Sequence, residues 1–538
     1  MKYKSLLIGL FCLISYTAYS QSEDFLLVRI VDMETGQPIP FATIKVIGKN
    51  LGVISNDDGG FRVPLEFQTE GEGLEISCIG YEKKDISFSD LAMNRVNTIM
   101  LKTGVFELLE TTVTAKRKRP LTPKKIIQRA IKKIPGNYPA EAFSYVGYYR
   151  DYQEKNDEYL NLNEAILKVF DSGFEKNDFL NTQSQIYDYS KNLDFKRDSV
   201  ANIPYDYVTR NKVINNAELF SFDGNEFYIL RIHDAIRNYK TKTFSYVDVF
   251  EKDIVKNHSL SREKDVSLDD EKMFVISLKG SNSTAITDGY TKRKVIGNIQ
   301  AEGEIYISQS SYAIHKMVYR VFDFTGSKRS ERVTKKSNNQ LLYEIAVEYK
   351  EHDGKMYPNY LSLHNTFKLR KTRFYVEDVI FDLVKKCFII KTNNSPIFLV
   401  ENGKPNVILL NENRKTAVKK IENTHDGILV YPDDTEMDEV LNSFDLNTST
   451  DETVTADSFR FEYSNIVDQY GNVLNKFVYE DYKQYREFFA QEIIIDSVIV
   501  PEDGLLMKKN SPIFKDQPIV RPDNFDEYWM NTPLKSGQ

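Results

Sequence analysis

The residues of this 538-residue chain that can do chemistry are six histidines, three cysteines and a scatter of serines and carboxylates. A zinc peptidase holds its ion with a His and a Glu three positions apart plus a distant His, because two ligands on one turn must converge on the metal. None of His233, His258, His315, His352, His364 and His425 has a Glu three residues on or a second His four residues on. No G-x-S-x-G elbow, Walker loop or C-x-x-C occurs. Ser261-Arg262-Glu263-Lys264 has the S-x-x-K form of penicillin-binding serine enzymes, and Lys102-Thr103-Gly104 the K-T-G form. In those enzymes the serine motif comes first; here the order is reversed, so the match reads as coincidence. Glu164 and Asp151 can be imagined as an acid/base pair, but carboxylates this common carry no information without geometry. The acidic run YPDDTEMDE at 431 to 439 lacks the D-x-[DN]-x-[DN]-G spacing of a calcium loop. The expectation is therefore a protein that is not an enzyme, with no catalytic, cofactor or metal residue.

The elements around these residues set the compartment and the fold class. Lys2 and Lys4, an apolar run from Leu6 to Ile14 and the small-x-small site Ala18-Tyr19-Ser20 predict a secretory signal peptide over residues 1–20. Phe11 stands before Cys12 where a lipobox needs a small residue, which argues against a lipoprotein. A formal net charge of −7 argues against a nucleic-acid partner. Cys78 shares a strand face with Leu74 and Ile76 and reads as a buried thiol; no bridge to Cys387 is expected. Tyrosine and phenylalanine number 33 each against one tryptophan, a bias that suits strands. No later run is apolar enough to span a bilayer as a helix. Strands of irregular length and charged stretches such as Lys328 to Lys336 weigh against a transmembrane barrel.

From Val28 to Val63 the inward candidates Ala42, Ile44 and Val46 alternate with Thr43 and Lys45, and Phe61 and Val63 flank Arg62. This is the period of half-buried strands. Gly36, Pro38, Gly52 and Asp58-Gly59-Gly60 punctuate them as turns. With ISCIGYEKK at 76 to 84 and NTIMLK at 97 to 102, the stretch resembles the carboxypeptidase-regulatory-like, transthyretin-like domain common in Bacteroidetes surface proteins. The resemblance implies a seven-strand β-sandwich over residues 21–104 that brings no catalytic residue.

A basic linker and amphipathic helix occupy 105–140. LLETTVTAKRK at 108 to 118 is similar to the segment that follows such sandwiches in TonB-dependent transporters, but no plug or barrel follows and a linker strand is expected. Between Thr112 and Tyr138 stand Lys116, Arg117, Lys118, Arg119, Lys124, Lys125, Arg129, Lys132 and Lys133 with no acid. Thr122-Pro123 starts a helix, Ile126, Ile127, Ala130, Ile131 and Ile134 form its stripe, and Pro135-Gly136 ends it. Either the stripe docks on the next domain and leaves the lysines in water, or the 116–133 helix makes peripheral contact with anionic lipid headgroups.

Residues 141–430 read as an antiparallel β-rich domain, with two strands around a polar turn at 303 to 321 and a hairpin closed by Asp353-Gly354 at 343 to 363. SYVGYYRDYQEK onward resembles a second pattern of related envelope proteins, with Tyr149-Arg150 and Glu164-Ala165 where those show "YR" and "EA". The final PDNFDEYWMNTPL resembles the end of the same proteins. The 303 to 321 rhythm is similar to half-barrels that carry lipids or lipoproteins. Residues 431–538 read as an acidic, mobile connection followed by an α/β region, in which Tyr479, Tyr482, Tyr485 and Phe489 recur at helical spacing.

The fold class expected is thus mainly β (α+β). The function expected is a non-catalytic envelope protein, exported to the periplasm or outer membrane, that binds another envelope protein or a surface ligand through β domains. A periplasmic lipid or lipoprotein carrier and a carboxypeptidase-related activity are the alternatives.

Overall fold

The computed structural model describes residues 25–48, 52–70, 73–104, 120–205, 212–213, 224–244, 246–268, 271–280, 285–287, 294–296, 299–323, 340–399, 406–412, 414–444, 452–495 and 498–533. The signal peptide, the 108 to 118 linker, Lys116 to Arg119 and Lys328 to Lys336 lie outside them. Two units emerge: residues 1–367 with 481–538, and residues 368–480.

Seven strands build the N-terminal sandwich. They are β1 (Phe25–Asp32), β2 (Thr43–Val46), β3 (Gly52–Ile54), β4 (Gly60–Pro64), β5 (Gly73–Ser77), β6 (Lys84–Ser87) and β7 (Val96–Leu101). Sheets β4-β1-β7 and β3-β2-β5-β6 face each other. The strands are held by period-2 burial: Leu26, Val28 and Ile30 of β1 meet Ile44, Val46, Phe61, Val63, Leu74 and Ile76 in one core. Cys78 is a free, buried thiol on the expected face. Thr43, expected to point outward, is buried too, because its hydroxyl meets Glu348 and Asn359 of the next domain.

The first unit's main sheet begins with β8 (Phe143–Lys155), β9 (Glu158–Asp171) and β10 (Gln183–Lys191). It continues through β11 (Lys212–Val213), β12 (His258–Arg262), β13 (Val266–Leu268) and β14 (Glu271–Gly280). After a ribbon of β15 (Ala285–Thr287) and β16 (Lys294–Ile296) come β17 (Ile299–Ser308), β18 (Ile314–Asp323), β19 (Gln340–His352) and β20 (Lys355–Thr372). The hairpin between β19 and β20 turns where predicted, with Asp353 and Gly354 at φ 49° and 75°. Both central residues of that tight turn need positive φ, which Asp and Gly tolerate.

In the second unit β21 (Val376–Asp382) and β22 (Cys387–Thr392) join three later strands: β26 (Val418–Thr424), β27 (Gly427–Pro432) and β28 (Thr453–Thr455). Between and after them lie β23 (Ile397–Phe398), β24 (Val407–Asn411), β25 (Arg414–Thr416), β29 (Phe459–Tyr463) and β30 (Ile466–Val467). Its own core gathers Phe381, Phe388, Ile390, Leu409, Val430 and Phe459. The run from Tyr431 to Glu439, expected to be a mobile connection, is structured here. Tyr431 and Pro432 close β27, Met437–Asn442 is a helix, and Arg414 reaches Glu436 and Glu439 at 3.2 and 2.9 Å. The break expected at 431 falls inside this unit.

The chain then returns to the main sheet as β31 (Phe477–Ile494), between β8 and β20. The sheet order is β10-β9-β8-β31-β20-β19-β18-β17-β14-β12, and its two ends do not pair, so it is open rather than a barrel. The aromatic stripe read as helical lies on β31. Residues three apart on a strand point to opposite faces: Tyr482 stacks on Phe367 at 5.2 Å on one side, and Tyr485 stacks on Tyr152 at 4.7 Å on the other.

One face of the sheet carries helices α1 (Pro123–Asn137), α2 (Glu226–Ile232) and α3 (Phe250–Asn257). The other carries the sandwich and residues 525–533. Ala346, Tyr360, Phe489 and Trp529 enter the sandwich core itself. The stripe Ile126, Ile127, Ala130, Ile131 and Ile134 of α1 is buried, as the docking alternative requires. Thr122 caps α1 through the Lys125 amide, while the helix runs through Pro135 and Gly136 to Asn137 instead of ending there. In a final turn proline forfeits only one backbone bond.

Candidate functional site

The densest chemistry of the described residues lies in three buried charge clusters of the first unit. The first sits on the helix face at the end of β9. Asp171 receives Arg237 at 2.8 Å and Arg231 at 3.2 Å, and Arg231 also bonds Asp178 and the Tyr145 hydroxyl. Arg231 is placed by α2, whose first turn is capped by Asn225. Burial pushes the Asp178 carboxyl up, but the two guanidiniums outweigh it and hold it below its ordinary value. Asp234 accepts the Tyr349 hydroxyl at 2.5 Å beside them. The gap among these side chains measures about 20 Å³. That is room for one water.

The second cluster lies along the same face. Arg486, fully buried, bonds Glu226 of α2 and the Asn365 side chain. Asp151 accepts from Asn163 at 2.9 Å and from Tyr149 at 3.2 Å, and burial with Glu226 nearby pushes its carboxyl up to about 7. Lys212 donates to the Ala201 and Ile203 carbonyls at 3.1 Å each and lies over the Tyr205 and Phe367 rings at 4.3 and 4.5 Å. Burial pulls its ammonium down to about 8.

The third cluster is the seam under the sandwich. Arg150 pairs with Glu487 and donates to the Asn531 carbonyl at 2.7 Å; His364 lies 3.1 Å from Glu487. Burial alone would raise Glu487, but the Arg150 charge and the His364 bond hold it at about 2. Asn531 in turn spans to the sandwich, donating to the Ile54 carbonyl at 2.9 Å and accepting the Arg62 amide at 3.0 Å. Glu164 accepts Tyr148 at 2.6 Å and Thr532 at 2.7 Å. The "YR" and "EA" pairs of the sequence therefore supply the charges that seat the C-terminal segment and the sandwich.

Asp151 and Glu164 cannot act as a pair. The β8–β9 register sets Asp151 opposite Asn163 and Arg150 opposite Glu164, so the two carboxylates project from opposite faces. Ser261 donates to Glu263 on an exposed edge, and Lys102 pairs with Glu82 on the sandwich surface, far from forming a serine site together. The histidines are dispersed: His233 bonds the Ile229 carbonyl, His258 the Ile254 carbonyl and Tyr319, and His315, His352 and His425 neighbour Glu271, Asp353 and Asp426. Among the described residues no three His, Cys, Asp or Glu groups could hold a metal ion.

Two surface features complete the inventory. The outer half of α1 exposes Lys124, Lys125, Arg129, Lys132 and Lys133. A shallow groove of about 370 Å³ runs between β6 and β7, the outer strands of the two sandwich sheets, past Lys84, Ile86, Arg95 and Thr98. No described helix is long and apolar enough to cross a membrane.

Against known proteins, residues 29–113 match the family model described as CarboxypepD_reg-like domain, and the N-terminal sandwich is a domain of that kind. No curated protein matches the chain. Among solved structures it is similar to a LolA superfamily protein from Nitrosomonas europaea, 12% identical, over 46% of this chain and 86% of that one, with a TM-score of 0.18. It is also similar to a DUF1329 family protein from Desulfovibrio piger, 9% identical, over 46% and 87%, with a TM-score of 0.20.

Proposed function

We propose that this is a non-catalytic protein of the cell envelope, exported to the periplasm or outer membrane, which presents folded β surfaces to another envelope component. One observation carries the reading: the perturbed acids and bases of the three clusters bond one another, and the gap beside the Arg231 cluster, about 20 Å³, has room for only one water. A substrate needs an unfilled, reachable position next to the reacting group. The charges instead join elements: Arg150 and Asn531 tie the C-terminal segment to the sandwich, and Arg231 and Arg486 tie α2 to the sheet. The test is metal analysis and a peptide and ester substrate screen on protein purified from its native envelope. Stoichiometric zinc, or turnover abolished by Asp151→Asn, overturns the reading.

A carrier of lipid or lipoprotein is the second reading, favoured by the single broad antiparallel sheet with helices over one face. Cargo would need a few hundred Å³, so α2 must first lift from Arg486 and Asp171. Extraction and mass spectrometry of the native protein decide it. Bound lipid at one per chain supports the carrier, and lipid-free protein removes it.

A further inference from the structure

We propose that the exposed half of α1 is an electrostatic docking surface for an anionic bilayer. Successive residues of a helix are turned by about 100°, and that spacing divides α1 cleanly. Ile126, Ile127, Ala130, Ile131 and Ile134 fall on one half and are buried; Lys124, Lys125, Arg129, Lys132 and Lys133 fall on the other and are exposed. No acid occurs anywhere in α1, in a chain whose net charge is −7. A solvated helix face is ordinarily laced with both signs, because i,i+4 pairs support it. Here the ammonium groups of Lys124, Lys125, Lys132 and Lys133 make no ion pair or hydrogen bond among the described residues. Arg129 donates to the Tyr312 hydroxyl at 2.9 Å and lies 5.5 Å from that ring, adding an amphipathic side chain of the kind that settles at headgroup depth.

The helix is also rigidly held. Its buried stripe, the Tyr138 hydroxyl on the Ile314 carbonyl at 2.8 Å and Lys355 on the Gly136 carbonyl at 2.6 Å fix it to the sheet. The cations are thus presented as a fixed array rather than on a segment that must fold on contact. With the apolar stripe occupied, attachment is by charge alone, which makes it reversible and sensitive to salt. Phosphate-bearing headgroups, spread over an area, match a row of lysines about 13 Å long.

The inference rests on the envelope reading for its setting, yet the two can fail separately. The full chain is mixed at low ionic strength with vesicles of phosphatidylcholine alone and with vesicles containing phosphatidylglycerol, and the bound fraction is measured by sedimentation. Binding to the anionic vesicles only, lost on adding salt, is expected. The variant Lys124→Gln, Lys125→Gln, Lys132→Gln, Lys133→Gln should bind about a thousandfold more weakly, at roughly 1 kcal/mol per lysine near the surface. A control carrying Lys386→Gln, Lys415→Gln, Lys476→Gln and Lys515→Gln, exposed lysines elsewhere with the same charge removed, should bind as the parent does. Equal loss in both variants, no loss in the first, or no binding by the parent overturns the proposal while leaving the non-catalytic reading intact. Discovery of a metal-dependent activity would do the reverse.

Discussion

The chain's single tryptophan, Trp529, lies in the seam between the sandwich and the main sheet, 6% exposed, with its ring 4.9 Å from that of Phe67. Its fluorescence therefore reports whether the sandwich is seated. Phe67→Ala removes a side chain that is 3% exposed. A buried Phe→Ala change costs about 3–5 kcal/mol, of which the ring pair supplies about 0.5–1.5 kcal/mol. A sandwich of this size is stable by only ~4–12 kcal/mol at 0.05–0.15 kcal/mol per residue. The substitution thus takes away about a quarter or more of what holds the module. Urea titration of the full chain, followed by Trp529 emission, should show the red-shift beginning at least ~1 M earlier, since a module this small has a slope of ~1–3 kcal/mol per M. Hydrogen exchange in β1 and β4 should accelerate in step, while β22 and β27 of the second unit keep their protection. A Trp529 transition that coincides with that of the unsubstituted chain would refute the claim that the sandwich core extends into the sheet. The same logic predicts that residues 21–104 alone melt below the same module in the full chain, and equal melting temperatures would count against it.

Glu487→Gln leaves Arg150 and His364 buried without their carboxylate, and chemical denaturation should show a loss of about 3–5 kcal/mol. Replacing Glu487 and Arg150 together by Leu and Met should cost much less, and strictly additive losses would contradict the pairing. Because Glu487 keeps its charge down to about pH 2 in the folded chain, its contribution is present above its ordinary value of 4.5 and fades as pH falls toward 2; Glu487→Gln should flatten that acid limb. His364 is pushed down by burial, and the Glu487 bond and charge, with Asp57 and Glu344, together outweigh it and hold the imidazole above its ordinary value, so its contribution is complete below 6.5 and is lost as pH rises through its folded value; His364→Gln should remove that alkaline decline in the melting temperature. Asp151, raised to about 7, favours its neutral form in the fold, so Asp151→Asn should raise the melting temperature at pH 8 and change little at pH 4. Burial lifts Cys78 to about 11 and Cys387 in the same direction, and mass spectrometry should find neither alkylated at pH 8 until the chain is unfolded.

What the sequence makes legible is local and periodic. The inward set Ala42, Ile44, Val46, Phe61 and Val63, the Thr122 cap with its apolar stripe and the Asp353-Gly354 hairpin each depend on residues within a turn or two, and each appears where the pattern places it. β31 is misread for a physical reason. From Gln484 to Phe489 both of its faces are covered, so the alternation of a half-wet strand disappears there, and Tyr479, Tyr482 and Tyr485 repeat every three residues, with Phe489 four further on, as a helix would. Arg486 and Glu487 look solvated, yet each is buried against a partner more than a hundred positions away: Asn365 and Glu226 for one, His364 and Arg150 for the other. Asp171 meets Arg231 and Arg237 in the same way across 60 and 66 positions. Charge complementarity across such distances leaves no trace in spacing. The division at 431 fails likewise, because a unit bounded by two neighbouring strands can be recognised only when the second strand is seen to return.

That return gives the chain a modular seam. β20 and β31 are hydrogen-bonded neighbours, and in chain order the whole of residues 368–480 is inserted between them, where neighbouring strands elsewhere in the same sheet are joined by a few-residue turn. An element hung on adjacent strands can be enlarged, exchanged or deleted without rethreading the scaffold, since loop closure grows only logarithmically with length. A change of length within 368–480 therefore leaves untouched the pairs that lock the sandwich, the helices and the C-terminal segment together.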